Sequence, residues 1–130
     1  MKILLAEDDF ATRKFMNEFL SKYGECDVTV DGMEAVDAFM MALDSGEPYD
    51  LVCLDIMMPV MDGYQALMGI RNLEKEQGIA PEKAAKVIMA TALNDEKNVK
   101  MAFDLGCTIY SGKPIDEARF EVALKKLGLA

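Results

Sequence analysis

Histidine and tryptophan are both absent from this 130-residue chain. Without histidine there is no imidazole base, no histidine nucleophile and no histidine metal ligand. No Gly-x-Gly-x-x-Gly, no Walker loop and no Cys-x-x-Cys occurs, which removes the commonest nucleotide and dithiol signatures. No apolar run is long enough to cross a bilayer, and Ile3-Leu4-Leu5-Ala6 is too short for a secretory signal. The three cysteines, Cys26, Cys53 and Cys107, lie in apolar stretches without metal-ligand spacing, a pattern suited to a reducing cytoplasm. Positive charge is scarce as well. The net charge of -9 argues against a nucleic-acid or anionic-membrane surface and favours basic partners, although acidity also serves solubility alone.

What is present centres on Tyr49 to Tyr64. Leu51-Val52-Cys53-Leu54 is apolar without alternation, as in a strand buried on both faces. It stops at Asp55. Pro59 forbids a helix there and Asp62-Gly63 restarts the chain as a turn. An acid therefore sits at the carboxyl end of a central strand, the edge where open α/β sheets bind ligands.

The rest of the chain alternates in the same way. Lys2 to Ala6 reads as a strand, followed by Glu7-Asp8-Asp9. A helix follows with Phe15, Met16, Phe19, Leu20 and Tyr23 at helical spacing, stopped by Gly24. Cys26 to Val30 is the second strand. Asp31 to Glu34 resembles a capping box for a helix with Val36, Phe39, Met40 and Leu43 on one face. Asp62 opens a helix with Leu67, Ile70 and Leu73 inward. Glu82 to Ala85 reads as loop and Lys86 to Ala90 as a fourth strand closed by Thr91. Asn94 or Asp95 caps a helix with Val99, Ala102 and Phe103 inward. Thr108 to Ser111 is a fifth strand, ended by Gly112-Lys113-Pro114. A last helix from near Asp116 buries Phe120, Ala123, Leu124 and Leu127. This is one (βα)5 domain over residues 1–130: a doubly wound, five-stranded parallel sheet of flavodoxin-like order 2-1-3-4-5.

Parallel strands bring Asp8 and Asp9, Asp55, Thr91 and Lys113 to one sheet edge. Converging carboxylates repel one another, and a hard divalent cation such as Mg2+ relieves that repulsion through oxygen ligands. A hydroxyl and an ammonium beside it suit a phosphoryl group, and an aspartate can itself be the nucleophile. Each residue has a plainer reading too: Asp55 as a turn cap, Asp9 as the cap of the first helix, Thr91 as a side-chain turn, Lys113 as a solvated lysine. The methionines, Met57 and Met58 included, read as core filling and loop packing.

The acidic pair Asp8-Asp9, the segment Leu-Asp-Ile-Met-Met-Pro-Val-Met-Asp-Gly around Asp55, Thr91-Ala92 and Lys113-Pro114 resemble the receiver domain of two-component response regulators, from end to end. The resemblance implies a phosphoprotein of phosphorelay signalling. Asp55 would accept phosphate from the histidine of a sensor kinase. Asp9, Asp55 and the backbone carbonyl of Met57 would contact Mg2+, with Asp8 reaching it through water. Thr91 and Lys113 would hold the phosphoryl oxygens, the Lys113-Pro114 bond would be cis, and Tyr110 would be the aromatic switch that follows Thr91. Met57 and Leu93 would flank the approach of water, and their bulk predicts slow hydrolysis of the phosphoryl group.

Larger members of that family carry an output domain after the last helix, and this sequence ends at Ala130 just past it, so the expectation is a stand-alone cytoplasmic receiver without a DNA-binding output domain, which docks on a target protein or passes phosphate to a histidine phosphotransfer protein. It also allows a dimer through the fourth helix, fifth strand and fifth helix. A receiver fragment of a larger regulator is the alternative. The expected chemistry is its own phosphorylation and dephosphorylation, not turnover as an enzyme. An aspartate-nucleophile phosphatase would commonly place an acid two residues beyond Asp55, where Met57 stands. A flavin module would suffer repulsion from Glu7-Asp8-Asp9.

Overall fold

The computed structural model describes residues 1–92, 96–113 and 115–129. The proposed helix cap at Asn94 or Asp95, Leu93 and the geometry of the Lys113-Pro114 bond lie outside the described residues.

Five strands, β1 (Lys2–Ala6), β2 (Glu25–Thr29), β3 (Leu51–Leu54), β4 (Lys86–Thr91) and β5 (Ile109–Gly112), alternate with α1 (Phe10–Leu20), α2 (Gly32–Asp44), α3 (Gly63–Glu76), α4 (Glu96–Asp104) and α5 (Glu117–Lys126). A short 3-10 turn, Pro81–Lys83, falls in the stretch read as loop. All pairings are parallel, and the strand order is β2-β1-β3-β4-β5, as expected.

Strand alternation divides the core between the two faces of the sheet. Ile3, Leu5, Leu51, Cys53 and Ile88 pack with Met16, Phe19 and Leu20 of α1 and Phe120 and Leu124 of α5. Leu4, Ala6, Val52, Leu54, Val87 and Met89 pack with Ala35 and Phe39 of α2, Leu67 and Ile70 of α3 and Ala102 of α4. The central strands are buried on both sides, which is why they read as unbroken apolar runs.

Caps set the helix starts. Asp31 accepts from the Glu34 amide, and Asp62 forms a reciprocal capping box with Gln65. Asp116 accepts from the amides of Ala118 and Arg119. Three apolar residues assigned to inward or helical-spacing sets prove exposed: Phe15, Met40 and Phe103. The docking angle of each helix decides which flank of its apolar stripe is covered. In α4 only Ala102 is fully buried.

Candidate functional site

The cleft at the carboxyl ends of β1, β3, β4 and β5 is shaped by backbone ties between adjacent strands. The Asp55 amide donates to the Ala6 carbonyl at 3.1 Å, and the Lys113 amide to the Thr91 carbonyl at 2.9 Å. The Gly63 amide returns to the Ile56 carbonyl at 2.8 Å, closing the loop after Asp55. A Cβ at Gly63 would overlap the Asp55 carbonyl oxygen, so this tight return requires glycine.

Asp55 lies in the cleft with only 7% of its surface exposed. Lys113 Nζ donates to Asp55 Oδ2 at 3.1 Å and to Glu7 Oε1 at 2.6 Å. Glu7 is 2% exposed. Burial, followed by the hydrogen bond with Asp55, pushes its carboxyl up to about 7, against the pull of Lys113. Burial works against the Lys113 ammonium, but its hydrogen bond to Glu7 and the charge of Asp55 outweigh it and raise its pKa. Carboxylate oxygens of Glu7, Asp8 and Asp55 all lie within 4.8 Å of one another.

This corrects the acid set expected from the sequence. Asp9 does not join the cluster; it caps α1. Its Oδ2 accepts from the Thr12 amide at 2.9 Å and the Thr12 hydroxyl at 2.6 Å. Those bonds hold its carboxyl below its ordinary pKa. Glu7 takes its place, shifting the acid pair from Asp8-Asp9 to Glu7-Asp8. The signal for this was the Asp9-x-x-Thr12 spacing ahead of α1, which favours an N-cap at Asp9.

The other residues fall where the topology places them. Asp8 is exposed in the cleft. Met57 is 65% exposed and lines the same open hollow as Asp8, Ile56, Met58 and Asp62. Thr91 is buried at the end of β4. Tyr110 pairs in register with Met89, two residues before Thr91, and packs against the core on the face of the sheet that carries Ala102 of α4. Glu7, Asp8 and Asp55 each offer a carboxylate oxygen, and this set suits a hard divalent cation such as Mg2+.

Fold and site together define a flavodoxin-like α/β domain with an acid cluster around a buried aspartate–lysine pair. The chain belongs to the response regulator receiver domain family, whose model matches residues 3–125. Among its relatives, the chemotaxis protein CheY of Treponema pallidum is 34% identical over 120 residues, covering 91% of this chain and 76% of that protein. A probable histidine kinase 2 of rice is 31% identical over 134 residues, covering 95% of this chain. The chain spans only 12% of that kinase's length. A solved structure of CheY from Borrelia burgdorferi, in complex with CheX, BeF3 and magnesium, superposes with a TM-score of 0.83 at 29% identity. That match covers 100% of this chain and 90% of the other.

Proposed function

We propose that this chain is a Mg2+-dependent phosphoryl acceptor whose modification switches a protein-interaction surface. The observation that carries the reading is the buried Asp55 carboxylate bonded to Lys113 at 3.1 Å beside Glu7 and Asp8. The presence of magnesium and BeF3 in the complex of the Borrelia CheY relative with CheX supports it. Glu7, Asp8 and Asp55, with the Met57 carbonyl, would hold the cation. When bound, Mg2+ supplies positive charge against the phosphoryl oxygens.

Asp55 is the nucleophile. One carboxylate oxygen forms the bond to phosphorus as the phosphorus–nitrogen bond of a phosphohistidine breaks, and the imidazole nitrogen keeps the electron pair. These 130 residues contain no histidine, so the donor imidazole lies outside them, on a sensor histidine kinase. The Lys113 ammonium and the Thr91 hydroxyl hold phosphoryl oxygens, and Tyr110 follows Thr91 as the switch. The protein turns over no separate substrate and acts in the cytoplasm. Its downstream partner is a target protein docking on the α4–β5–α5 face, through which the chain also dimerises.

A stand-alone receiver is the first reading, in line with the CheY relatives. A receiver segment or relay intermediate of a larger regulator is the second, favoured by the kinase relatives. Incubation with Mg2+ and acetyl phosphate is expected to add one hydroxylamine-labile phosphate, measured by intact-protein mass spectrometry. Asp55→Asn is expected to abolish it; labelling that survives in Asp55→Asn places the chemistry elsewhere.

A further inference from the structure

Three consecutive acids, Glu7, Asp8 and Asp9, leave β1 and take three different fates. Glu7 turns into the cleft onto Lys113, Asp8 joins the cluster from its exposed side, and Asp9 caps α1. One residue touches the backbone carbonyls of all three. Arg13, in the first turn of α1, folds its side chain back, and its Nη1 donates to the Glu7 carbonyl at 3.0 Å and to the Asp8 carbonyl at 3.1 Å. Its amide donates to the Asp9 carbonyl at 2.8 Å. The guanidinium also lies 5.6 Å from the centre of the Phe10 ring.

We infer that Arg13 is a positioning residue for the cation site: its guanidinium pins the β1–α1 turn so that Glu7 and Asp8 point at Asp55. The inference rests on the Mg2+-dependent acceptor reading. The physical argument is one of sign. A guanidinium beside carboxylates repels a divalent cation, so removing it for its charge alone would tighten binding. Two charge-assisted hydrogen bonds to adjacent carbonyls do the opposite, because they fix the backbone that aims the ligands. Outer-shell groups that orient ligands typically contribute about 10–100-fold to metal affinity. Positioning therefore predicts a loss of affinity on removal, and electrostatics predicts a gain.

The test measures Mg2+ affinity by calorimetry and by the Mg2+-induced rise in melting temperature. It compares wild type, Arg13→Met, Arg13→Lys and Lys14→Met, the last being an exposed neighbour that controls for the loss of one charge. Arg13→Met is expected to bind Mg2+ about tenfold more weakly. Arg13→Lys, which keeps the charge and a donor, is expected to fall between, and it carries the test if Arg13→Met does not fold. Lys14→Met is expected to bind no more weakly than wild type. An Arg13→Met protein that melts lower without Mg2+ yet keeps wild-type affinity has lost only a structural bond, and that overturns the inference. Tighter binding by Arg13→Met, or a Lys14→Met loss as large, overturns it too. A wild type with no Mg2+ response sinks the acceptor reading itself, and the inference with it.

Discussion

At the scale of single residues, the site is a set of carboxyls under opposing influences. Glu7 is pushed up to about 7 in the fold, against an ordinary 4.5. Below pH 4.5 both folded and unfolded chains hold this proton and no penalty arises. Between pH 4.5 and 7 the unfolded chain releases it first, so the folded state binds more protons and stability falls as pH rises. Above 7 the penalty is complete and flat. Glu7→Gln is therefore expected to gain stability over wild type progressively across that window and then level off. Denaturation in EDTA at a series of pH values checks it; a difference independent of pH contradicts the burial argument. Strain is stored nearby. Val60 has φ of 69° and is 78% exposed, so a β-branched residue occupies the left-handed region with little packing in return. Val60→Gly is expected to stabilise the fold by about 1 kcal/mol, measured by urea denaturation, with no change expected in the core.

At the scale of elements, α3 is the anchor and α4 the loosely held neighbour. The Tyr64 hydroxyl on α3 bonds to Asn98 Oδ1 at 2.7 Å near the start of α4. Arg71 Nε and Nη2 bond to the Gly106 carbonyl just past its end, at 3.0 and 2.8 Å. Arg71 also pairs with the buried Glu74, whose other oxygen accepts from the Ala85 amide. With Ala102 its single fully buried residue, α4 rests on polar ties more than on apolar burial. Tyr64→Phe is expected to cost about 1 kcal/mol and to speed amide exchange in α4 before α3; uniform exchange across both helices would count against the tie. Close approach matters equally. Gly63→Ala sets a methyl against the backbone of Asp55 and Ile56, whereas the same change at Gly69 meets only the Val36 side chain at 3.2 Å. Gly63→Ala is expected to cost roughly 2–3 kcal/mol and to impair phosphorylation at Asp55. Gly69→Ala is expected to cost much less in the same denaturation assay.

For the whole molecule, charge and topology act together. The net charge of -9 and the convergence of Glu7, Asp8 and Asp55 make the metal-free fold repel itself at one edge. A cation that binds there only in the folded state stabilises the entire domain by mass action, about 2.7 kcal/mol at a hundredfold excess over Kd. Mg2+ is therefore expected to raise the melting temperature by several degrees. Asp8→Asn is expected to diminish that rise and Asp9→Asn to spare it, since Asp9 is engaged as the cap of α1. Differential scanning calorimetry with and without Mg2+ separates the two; an Asp9→Asn protein that loses the response as Asp8→Asn does would restore the pair first read from the sequence.

The sequence by itself determined the fold and the middle of the site. Buried parallel strands cannot alternate, so Leu51 to Leu54 and Val87 to Met89 announced themselves, and caps such as Asp31, Asp62 and Asp116 marked helix starts by a local rule. Asp55 and Lys113 followed from topology alone, because every strand of a parallel sheet delivers its last residues to the same edge. Tertiary structure decided what depends on a single residue of register. Where β1 ends and α1 begins selects which of three adjacent acids enters the cleft, and Thr12 with Arg13 draws that boundary by hydrogen bonds from the helix side. It also decided which flank of each amphipathic helix is covered, leaving Phe15, Met40 and Phe103 exposed. Helical spacing fixes an angle around one axis, whereas the direction from which the sheet approaches that axis belongs to the packed molecule.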